Sequence, residues 1–254
     1  MPKDSLYPNT AFLYDFDNRE LLNYDVVLCI KYLKETDGDI LEIACGTGRV
    51  SIPVVKCTDR SILAFDLSDE MLAVFRSKIT GNEFPNLQIK KADMTAFDFD
   101  RKFGYIILVW RAFQSLTKDD DIKSCLKCIR DHMDKDSVML FSVFIPQDKY
   151  GPDWVGKEAL SYDLTDPVSG NRIKRYSRNI RSDEKNQIIE YASIYEVTQH
   201  RADETTTKTE VFEDRIIYRY YYPPQIKQLL TDNGFSVINE YTNETDIFLE
   251  VKKG

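Results

Sequence analysis

Short apolar runs alternate with amphipathic stretches along the first 145 residues. The runs are too short for helices and are bounded by turn formers or charged residues, so they predict buried strands. These predicted strands cover residues 39–44, 61–65, 86–90, 103–109 and 137–145. The stretches between them predict helices at 49–57, 69–79 and 119–133, the last two with acidic residues at their start. The alternation is typical of a parallel sheet with helices on both faces.

Residues 147–222 follow a different pattern, with two-residue alternation and little helical spacing. Ile188–Val197 and Arg215–Tyr222 are rich in Ile and Tyr, which favour the pleated surface of a sheet. The segment predicts three or four antiparallel strands inserted into the α/β frame. Pro223 then predicts the start of a helix that ends at Asn233-Gly234. Two final strands, at 235–241 and 246–251, are expected to form a hairpin returning to the sheet.

Composition and charge exclude several classes of protein. The chain has 34 Lys and Arg against 42 Asp and Glu, and a net charge of −8 disfavours a nucleic-acid partner. No apolar run approaches the roughly 18 residues of a membrane-spanning helix. The N-terminus lacks the order of a signal peptide, and five widely spaced cysteines favour a reducing compartment. We therefore expect a cytoplasmic protein without a membrane segment.

A glycine-containing turn follows the first predicted strand, within Glu42–Arg49. Gly46 and Gly48 lack Cβ atoms where the chain must turn tightly and where a ligand would approach the backbone. Asp66 ends the second strand, at a spacing typical of an acid that accepts hydrogen bonds from ribose hydroxyls. A third glycine and a Lys-Ser/Thr pair are both missing, which disfavours a dinucleotide loop and a P-loop. The pattern predicts a nucleoside cofactor with little or no phosphate.

Four segments, in order and at suitable spacing, resemble the motifs of class I S-adenosylmethionine-dependent methyltransferases. Glu42–Gly48 is similar to the first motif, commonly E/D-x-G-x-G-x-G, with Ala44 in place of the first glycine. Phe65–Leu72 resembles the second motif, Ala92–Met94 the third and Val109–Ser115 the fourth. The resemblance covers residues 39–145 and the C-terminal hairpin.

The resemblance implies a Rossmann-like, doubly wound, mostly parallel seven-stranded sheet with a C-terminal antiparallel hairpin. Residues 1–146 and 223–254 would form this core, and residues 147–222 an antiparallel β insertion that covers the substrate. S-adenosylmethionine is the implied cofactor and S-adenosylhomocysteine its product, with Asp66 on the ribose and Asp93 on the adenine amino group. The residues expected to bind the cofactor are Glu42, Ala44, Cys45, Gly46, Gly48, Asp66, Leu67, Met71, Asp93, Met94, Val109 and Trp110.

The implied reaction is methyl transfer to a nitrogen or oxygen nucleophile in line behind the methyl group. Positioning alone can supply about 7–11 kcal/mol of the barrier, so no catalytic base is predicted. Ligands of an open α/β sheet lie outside the carboxyl ends of its strands. The candidates for the acceptor site are Trp110, Arg111, Phe113, Gln114 and Tyr14, the last in a segment resembling the N-terminal cover of small-molecule members.

Two groups of residues are interpreted without a catalytic role. Cys125, Cys128 and His132 share one face of a helix, but they supply only three metal ligands. Cys125, Leu126 and Ile129 also fit a core stripe, so no metal is expected. His200 lies in the insertion, where an exposed strand-end histidine is favoured over a base.

The acceptor class depends on the insertion. Residues 171–181 hold five basic residues, no acid and Tyr176, a composition that can bind RNA. As a strand, the segment would place Arg172, Lys174, Tyr176 and Arg178 on a solvated face, with Ile173, Arg175 and Ser177 on the other face. The favoured interpretation is a solvated strand paired against the acids of residues 183–196.

Nine of the fifteen tyrosines fall within 147–222, which suits a cover over a small organic substrate. We therefore predict a small-molecule methyltransferase with nucleic acid an unfavoured partner, and a homodimer through the insertion as a candidate assembly. The alternatives are an RNA or protein methyltransferase that uses residues 171–181, and a non-catalytic protein that binds S-adenosylmethionine.

Overall fold

A computed structural model describes residues 6–17, 23–81, 83–146, 150–199 and 208–254. The strands, in chain order, are β1 Ile40–Ile43, β2 Ile62–Asp66, β3 Leu87–Lys91, β4 Tyr105–Leu108, β5 Val138–Phe144, β6 Glu158–Thr165, β7 Arg172–Asp183, β8 Ile188–Gln199, β9 Lys208–Arg219, β10 Phe235–Thr242 and β11 Asp246–Lys253. The α-helices are α1 Tyr24–Tyr32, α2 Ser51–Val55, α3 Asp69–Ser77, α4 Asp119–Asp131 and α5 Pro223–Asp232. Short 3-10 helices cover Ala11–Phe16, Ala112–Ser115 and Pro152–Trp154.

Seven strands form the central sheet in the order β10-β11-β5-β4-β1-β2-β3. β1 to β5 run parallel, and β11 pairs antiparallel with both β5 and β10. The predicted fold, with its C-terminal hairpin, is confirmed. The chain leaves β1 in one direction toward β3 and crosses back to β4, so β1 and β4 form a topological switch point, where such sheets bind ligands.

Both faces of the central sheet are covered. Successive residues of β1 point to opposite sides, with Leu41 in the layer formed with α4 and α5 and Ile40 in the layer formed with α1 and α2. All residues of β1, β4 and β5 are buried, as expected for parallel strands between two helical layers. Helix α1 is an element that the sequence analysis did not predict.

A second, four-stranded antiparallel sheet has the order β6-β7-β8-β9. It lies within the predicted insertion, and β9 begins at Lys208, earlier than the predicted Arg215. Phe144 at the end of β5 packs with Ile189 and Ile216 of this sheet, so the sheet rests beside the carboxyl edge of the central one. The division into two domains stays a prediction.

The N-terminal segment, residues 6–17, is attached to this second sheet. Thr10 Oγ1 donates a hydrogen bond of 2.7 Å to Asp214 of β9, and Asn9 Nδ2 donates one of 2.8 Å to the same carboxylate. None of the described helices is long and apolar enough to cross a membrane. His200 lies outside the described residues.

Candidate active site

The glycine loop, Ala44–Gly48, turns directly after β1. Three of its residues have left-handed backbone angles, with φ of +56° at Ala44, +54° at Gly46 and +79° at Gly48. A Cβ on Gly46 would meet nothing within 4 Å, whereas one on Gly48 would lie 2.3 Å from the Phe75 ring. Gly46 thus faces open space, and Gly48 is needed for the packing of the loop against α3.

Asp66 links the glycine loop to the end of β2. Its carboxylate accepts hydrogen bonds from the backbone N–H groups of Gly46 at 2.8 Å and Ser68 at 2.9 Å. Burial raises the pKa of Asp66, and these N–H donors oppose the rise by stabilising the charged form. The two contacts fix the carboxylate in one orientation at the carboxyl edge of the sheet.

Cavity I, of about 510 Å³, lies over this loop and the ends of β1 to β4. Of the residues predicted to bind the cofactor, those lining it are Glu42, Ala44, Cys45, Gly46, Asp66, Leu67, Met71, Asp93, Met94, Val109 and Trp110. Gly48 does not line the cavity, because its α carbon packs on Phe75 instead. The structure thus brings together eleven of the twelve predicted positions.

Several residues that line cavity I were not predicted. Thr47, Arg49 and Ser68 lie beside the motifs, so the position of the motifs could have identified them. Leu6, Tyr7, Arg215, Ile217 and Tyr218 come from the N-terminal segment and from β9. No local pattern marks this second group, since tertiary packing alone brings it to the cavity.

Glu42 and Asp93 are each held by a neighbouring hydroxyl. Ser51 Oγ donates to Glu42, which is buried, and burial raises the pKa of Glu42 to about 8. Asp93 Oδ1 accepts from the N–H and from Oγ1 of Thr95, both at 2.8 Å. Both carboxyl groups therefore have fixed positions at the wall of cavity I.

Cavity II, of about 530 Å³, lies between the central sheet and the second sheet. Six tyrosines line it, namely Tyr7, Tyr14, Tyr150, Tyr191, Tyr195 and Tyr218. The residues that line both cavities are Tyr7, Tyr14, Arg49, Trp110 and Tyr218. The two cavities therefore adjoin across these side chains.

Trp110 and Tyr14 form the centre of this shared wall. Trp110 Nε1 donates a hydrogen bond of 2.8 Å to the Tyr14 hydroxyl, and the Arg49 guanidinium lies 4.7 Å from the Trp110 ring centroid. Burial raises the pKa of Tyr14 to about 12, so its hydroxyl keeps its proton at neutral pH. Trp110 and Arg111 have φ of +60° and +65°, a strained pair of the kind that clusters at functional sites.

The acceptor-site candidates divide into two groups. Trp110, Arg111 and Tyr14 line cavity II. Phe113 and Gln114 do not, which corrects the prediction for these two residues. Both are fully buried, because Phe113 packs on Phe141 and Gln114 accepts a hydrogen bond of 2.8 Å from the Phe144 N–H.

The N-terminal segment also contacts the glycine loop. Thr47 Oγ1 donates a hydrogen bond of 2.7 Å to Asp15, and Lys78 of α3 forms an ion pair with the same carboxylate. Lys78 Nζ donates a further bond of 2.7 Å to the Thr47 carbonyl. The segment therefore closes over the loop from the solvent side.

The core beside the central sheet includes Cys125, Cys128 and His132. The His132 ring donates through Nδ1 to the Cys128 carbonyl at 2.7 Å and accepts at Nε2 from the Phe99 N–H at 3.0 Å. Cys125 is fully buried. Within the described part of the chain, no cluster of three His, Cys, Asp or Glu residues could hold a metal ion.

The sequence was compared with protein families and with known proteins. Residues 40–136 match the family model described as a methyltransferase domain. A demethylmenaquinone methyltransferase of Chlorobaculum tepidum is 30% identical over 112 residues, 41% of this chain and 44% of that protein. Alignments with the three curated relatives span 42%, 44% and 37% of their own lengths, so the chain matches less than half of each.

Solved structures extend this likeness to the whole fold. The CcbJ methyltransferase of Streptomyces caelestis has a TM-score of 0.76 at 13% identity, over 98% of both chains. The sugar N-methyltransferase KedS8 of a Streptoalloteichus species has a TM-score of 0.74 at 16% identity, over 100% of this chain and 96% of its own. At these identities the comparison shows a shared fold, including the second sheet.

Proposed function

We propose that the protein transfers the methyl group of S-adenosylmethionine to a nitrogen or oxygen nucleophile of a small molecule. One observation carries the proposal: cavity I, at the four motif segments, adjoins cavity II across Trp110 and Tyr14. The match of residues 40–136 to the family model of a methyltransferase domain supports the same reaction. A sugar N-methyltransferase among the proteins of similar fold supports a small-molecule acceptor.

The residues around cavity I fit this cofactor. A carboxylate has about four acceptor sites, so Asp66 keeps capacity for ribose hydroxyls beside its two backbone contacts. The open side of Gly46 leaves room for the methionine end. A volume of about 510 Å³ lies within the usual range for such ligands. We expect Asp93, with Leu67 and Met71 packing nearby, to hold the adenine.

S-adenosylmethionine supplies an electrophilic methyl group when it is bound. The protein contributes position and the exclusion of water, since the N-terminal segment and the second sheet cover the two cavities. Tyr14 is protonated at neutral pH and accepts from Trp110, so we assign its hydroxyl the role of a hydrogen-bond donor rather than a base. In-line transfer would then need an acceptor held in cavity II with its nucleophile directed at cavity I.

Methylation of RNA or protein is less well supported. On the outer face of β7, Arg172 contacts Asp163 and Arg178 contacts Glu213 at 3.1 Å. These acids belong to β6 and β9 rather than to the predicted residues 183–196, and they offset the positive charge that a polyanion would require. The cytoplasmic location and the homodimer stay predictions.

Calorimetric titration with S-adenosylmethionine tests the cofactor assignment. We expect the wild type to bind and Asp66→Ala to bind at least tenfold more weakly, because about 1.5–3 kcal/mol is lost with each charge-assisted hydrogen bond. Asp69→Ala is the matched control, since Asp69 is an exposed acid three residues away that does not line cavity I. Equal affinity of the wild type and Asp66→Ala, or no binding by either, would refute the assignment.

Catalysis is tested separately from binding. Release of S-adenosylhomocysteine is measured across a panel of amines, sugars and phenols, and turnover with one class distinguishes an enzyme from a binding protein. Turnover with tRNA or protein alone would favour the alternative acceptors, and cofactor binding without any turnover would favour the non-catalytic alternative.

A further inference from the structure

The side chain of Arg175 lines cavity II, and the groups that it contacts there are uncharged. Arg175 lies on the inner face of β7, where its Nε donates to Ser193 Oγ at 3.3 Å and its Nη1 donates to Ser161 Oγ at 3.2 Å. The guanidinium lies 5.8 Å from the centroid of the Tyr195 ring. Among the described residues, no Asp or Glu oxygen lies within 4.0 Å of this guanidinium.

The other two arginines of cavity II have acidic neighbours. Arg49 Nη1 donates to the buried Asp25 at 2.9 Å. Arg111 Nε lies 3.7 Å from Oδ1 of the buried Asp246. Of the acids that line the cavity, Asp15 is paired with Lys78, and the charge of Asp17 acts on Arg175 only from beyond ion-pair distance. Arg175 is thus the arginine of this cavity whose charge is least balanced by the described residues.

A half-buried guanidinium is costly unless an anion or several acceptors balance its charge. Two serine hydroxyls at 3.2–3.3 Å satisfy two of its five N–H groups, and the remainder belong to a planar fork that suits an anion with two oxygens. Ser177 follows Arg175 on the same face of β7 and also lines the cavity, which adds a neutral donor. The aromatic side chains that line the same cavity are the six tyrosines, Trp110, Trp154 and Phe144.

We propose that the acceptor carries an anionic group, carboxylate or phosphate, and that Arg175 binds it in cavity II. The inference deepens the proposed function and rests on it for the reaction, although binding of the anion itself can be measured alone. The nucleophile of such an acceptor lies on the part of the molecule that extends from Arg175 toward Trp110 and Tyr14.

Matched aromatic probes test this proposal. Benzoate, phenyl phosphate and benzamide are titrated by ligand-observed NMR, with and without S-adenosylhomocysteine. We expect at least one anion to bind about tenfold more tightly than neutral benzamide, the factor expected of a charge-assisted hydrogen bond. Arg175→Gln should remove that preference and Arg175→Lys should retain part of it, because lysine keeps the charge without the fork. Arg172→Gln, on the outer face of the same strand, should leave it unchanged.

The outcomes are distinguishable. A preference for benzoate indicates a carboxylate and one for phenyl phosphate indicates a phosphate. Affinities no higher than that of benzamide, or an anion preference that survives Arg175→Gln, would overturn the proposal, and the wild-type comparison holds even if a variant fails to fold. Titration of S-adenosylmethionine on the same preparations separates the two claims: cofactor binding without anion preference refutes only this inference, and the reverse refutes only the cofactor assignment.

Discussion

In the glycine loop, Ala44 has a strained backbone and Gly48 is tightly packed. Replacing Ala44 by glycine and Gly48 by alanine should therefore change the stability of the fold in opposite directions. Ala44→Gly relieves a φ of +56°, and Gly48→Ala creates strain at a φ of +79°. The second variant also drives a Cβ to 2.3 Å from the Phe75 ring. We therefore expect the first to stabilise the protein and the second to destabilise it.

The magnitudes follow from three contributions. Left-handed backbone costs a residue with a Cβ about 1–2 kcal/mol, and the freedom of glycine in the unfolded chain offsets about 0.4–1 kcal/mol of that. Ala44→Gly should raise the free energy of unfolding by about 0.5–1 kcal/mol. Gly48→Ala adds an overpacking cost of about 1–3 kcal/mol and should lower it by about 2–4 kcal/mol.

Urea denaturation at constant m-value measures both changes. Gly46→Ala is the matched control, because its φ of +54° carries the backbone cost while its Cβ would meet nothing within 4 Å. A Gly48→Ala variant as stable as Gly46→Ala would refute the contact with Phe75. A loss of stability in Ala44→Gly would refute the strain assigned to Ala44.

Three further predictions concern buried polar groups. Burial holds the pKa of Glu42 at about 8 in place of 4.5, so the stability contributed by its protonated form is full below pH 4.5 and is lost as pH rises through 8. Glu42→Gln should therefore flatten the fall of the urea midpoint between pH 4.5 and 8, and a pH dependence equal to that of the wild type would contradict this expectation. Gln114→Ala leaves the Phe144 N–H buried without its acceptor, and thermal unfolding should show a loss of about 1–3 kcal/mol. Asp214→Ala removes the hydrogen bonds from Asn9 and Thr10 that attach residues 6–17 to β9, so limited proteolysis near the N-terminus should accelerate, whereas Glu210→Ala should be cleaved at the wild-type rate.

The hydrophobic pattern was sufficient to predict the central sheet, because β1, β4 and β5 are continuous apolar runs buried on both faces. Helix α1 was missed for the opposite reason. Its Asp25 is buried in the ion pair with Arg49 while its Val27 is 64% exposed, so polar and apolar positions do not mark its faces. The ion pair with Arg49, which lies outside α1, places a charged residue on the buried face of the helix, so the hydrophobic pattern does not indicate which face is buried.

The part of the candidate site that lies within the four motif segments could be predicted from the sequence. Residues within the motif segments sit at strand ends, and eleven of the twelve line cavity I. Phe113 and Gln114 follow two non-glycine residues with positive φ, which redirect the chain so that both side chains enter the core. Sequence reasoning had no signal for that turn, since left-handed angles are expected mainly at glycine.

The N-terminal segment has a thermodynamic consequence for the two cavities. It contacts the glycine loop through Asp15, the end of β4 through the Tyr14–Trp110 hydrogen bond, and the second sheet through Thr10. A ligand in either cavity that stabilises this segment lowers the cost of ordering it for the other ligand. Cofactor and acceptor affinities should therefore be linked, each changing the other by the same factor.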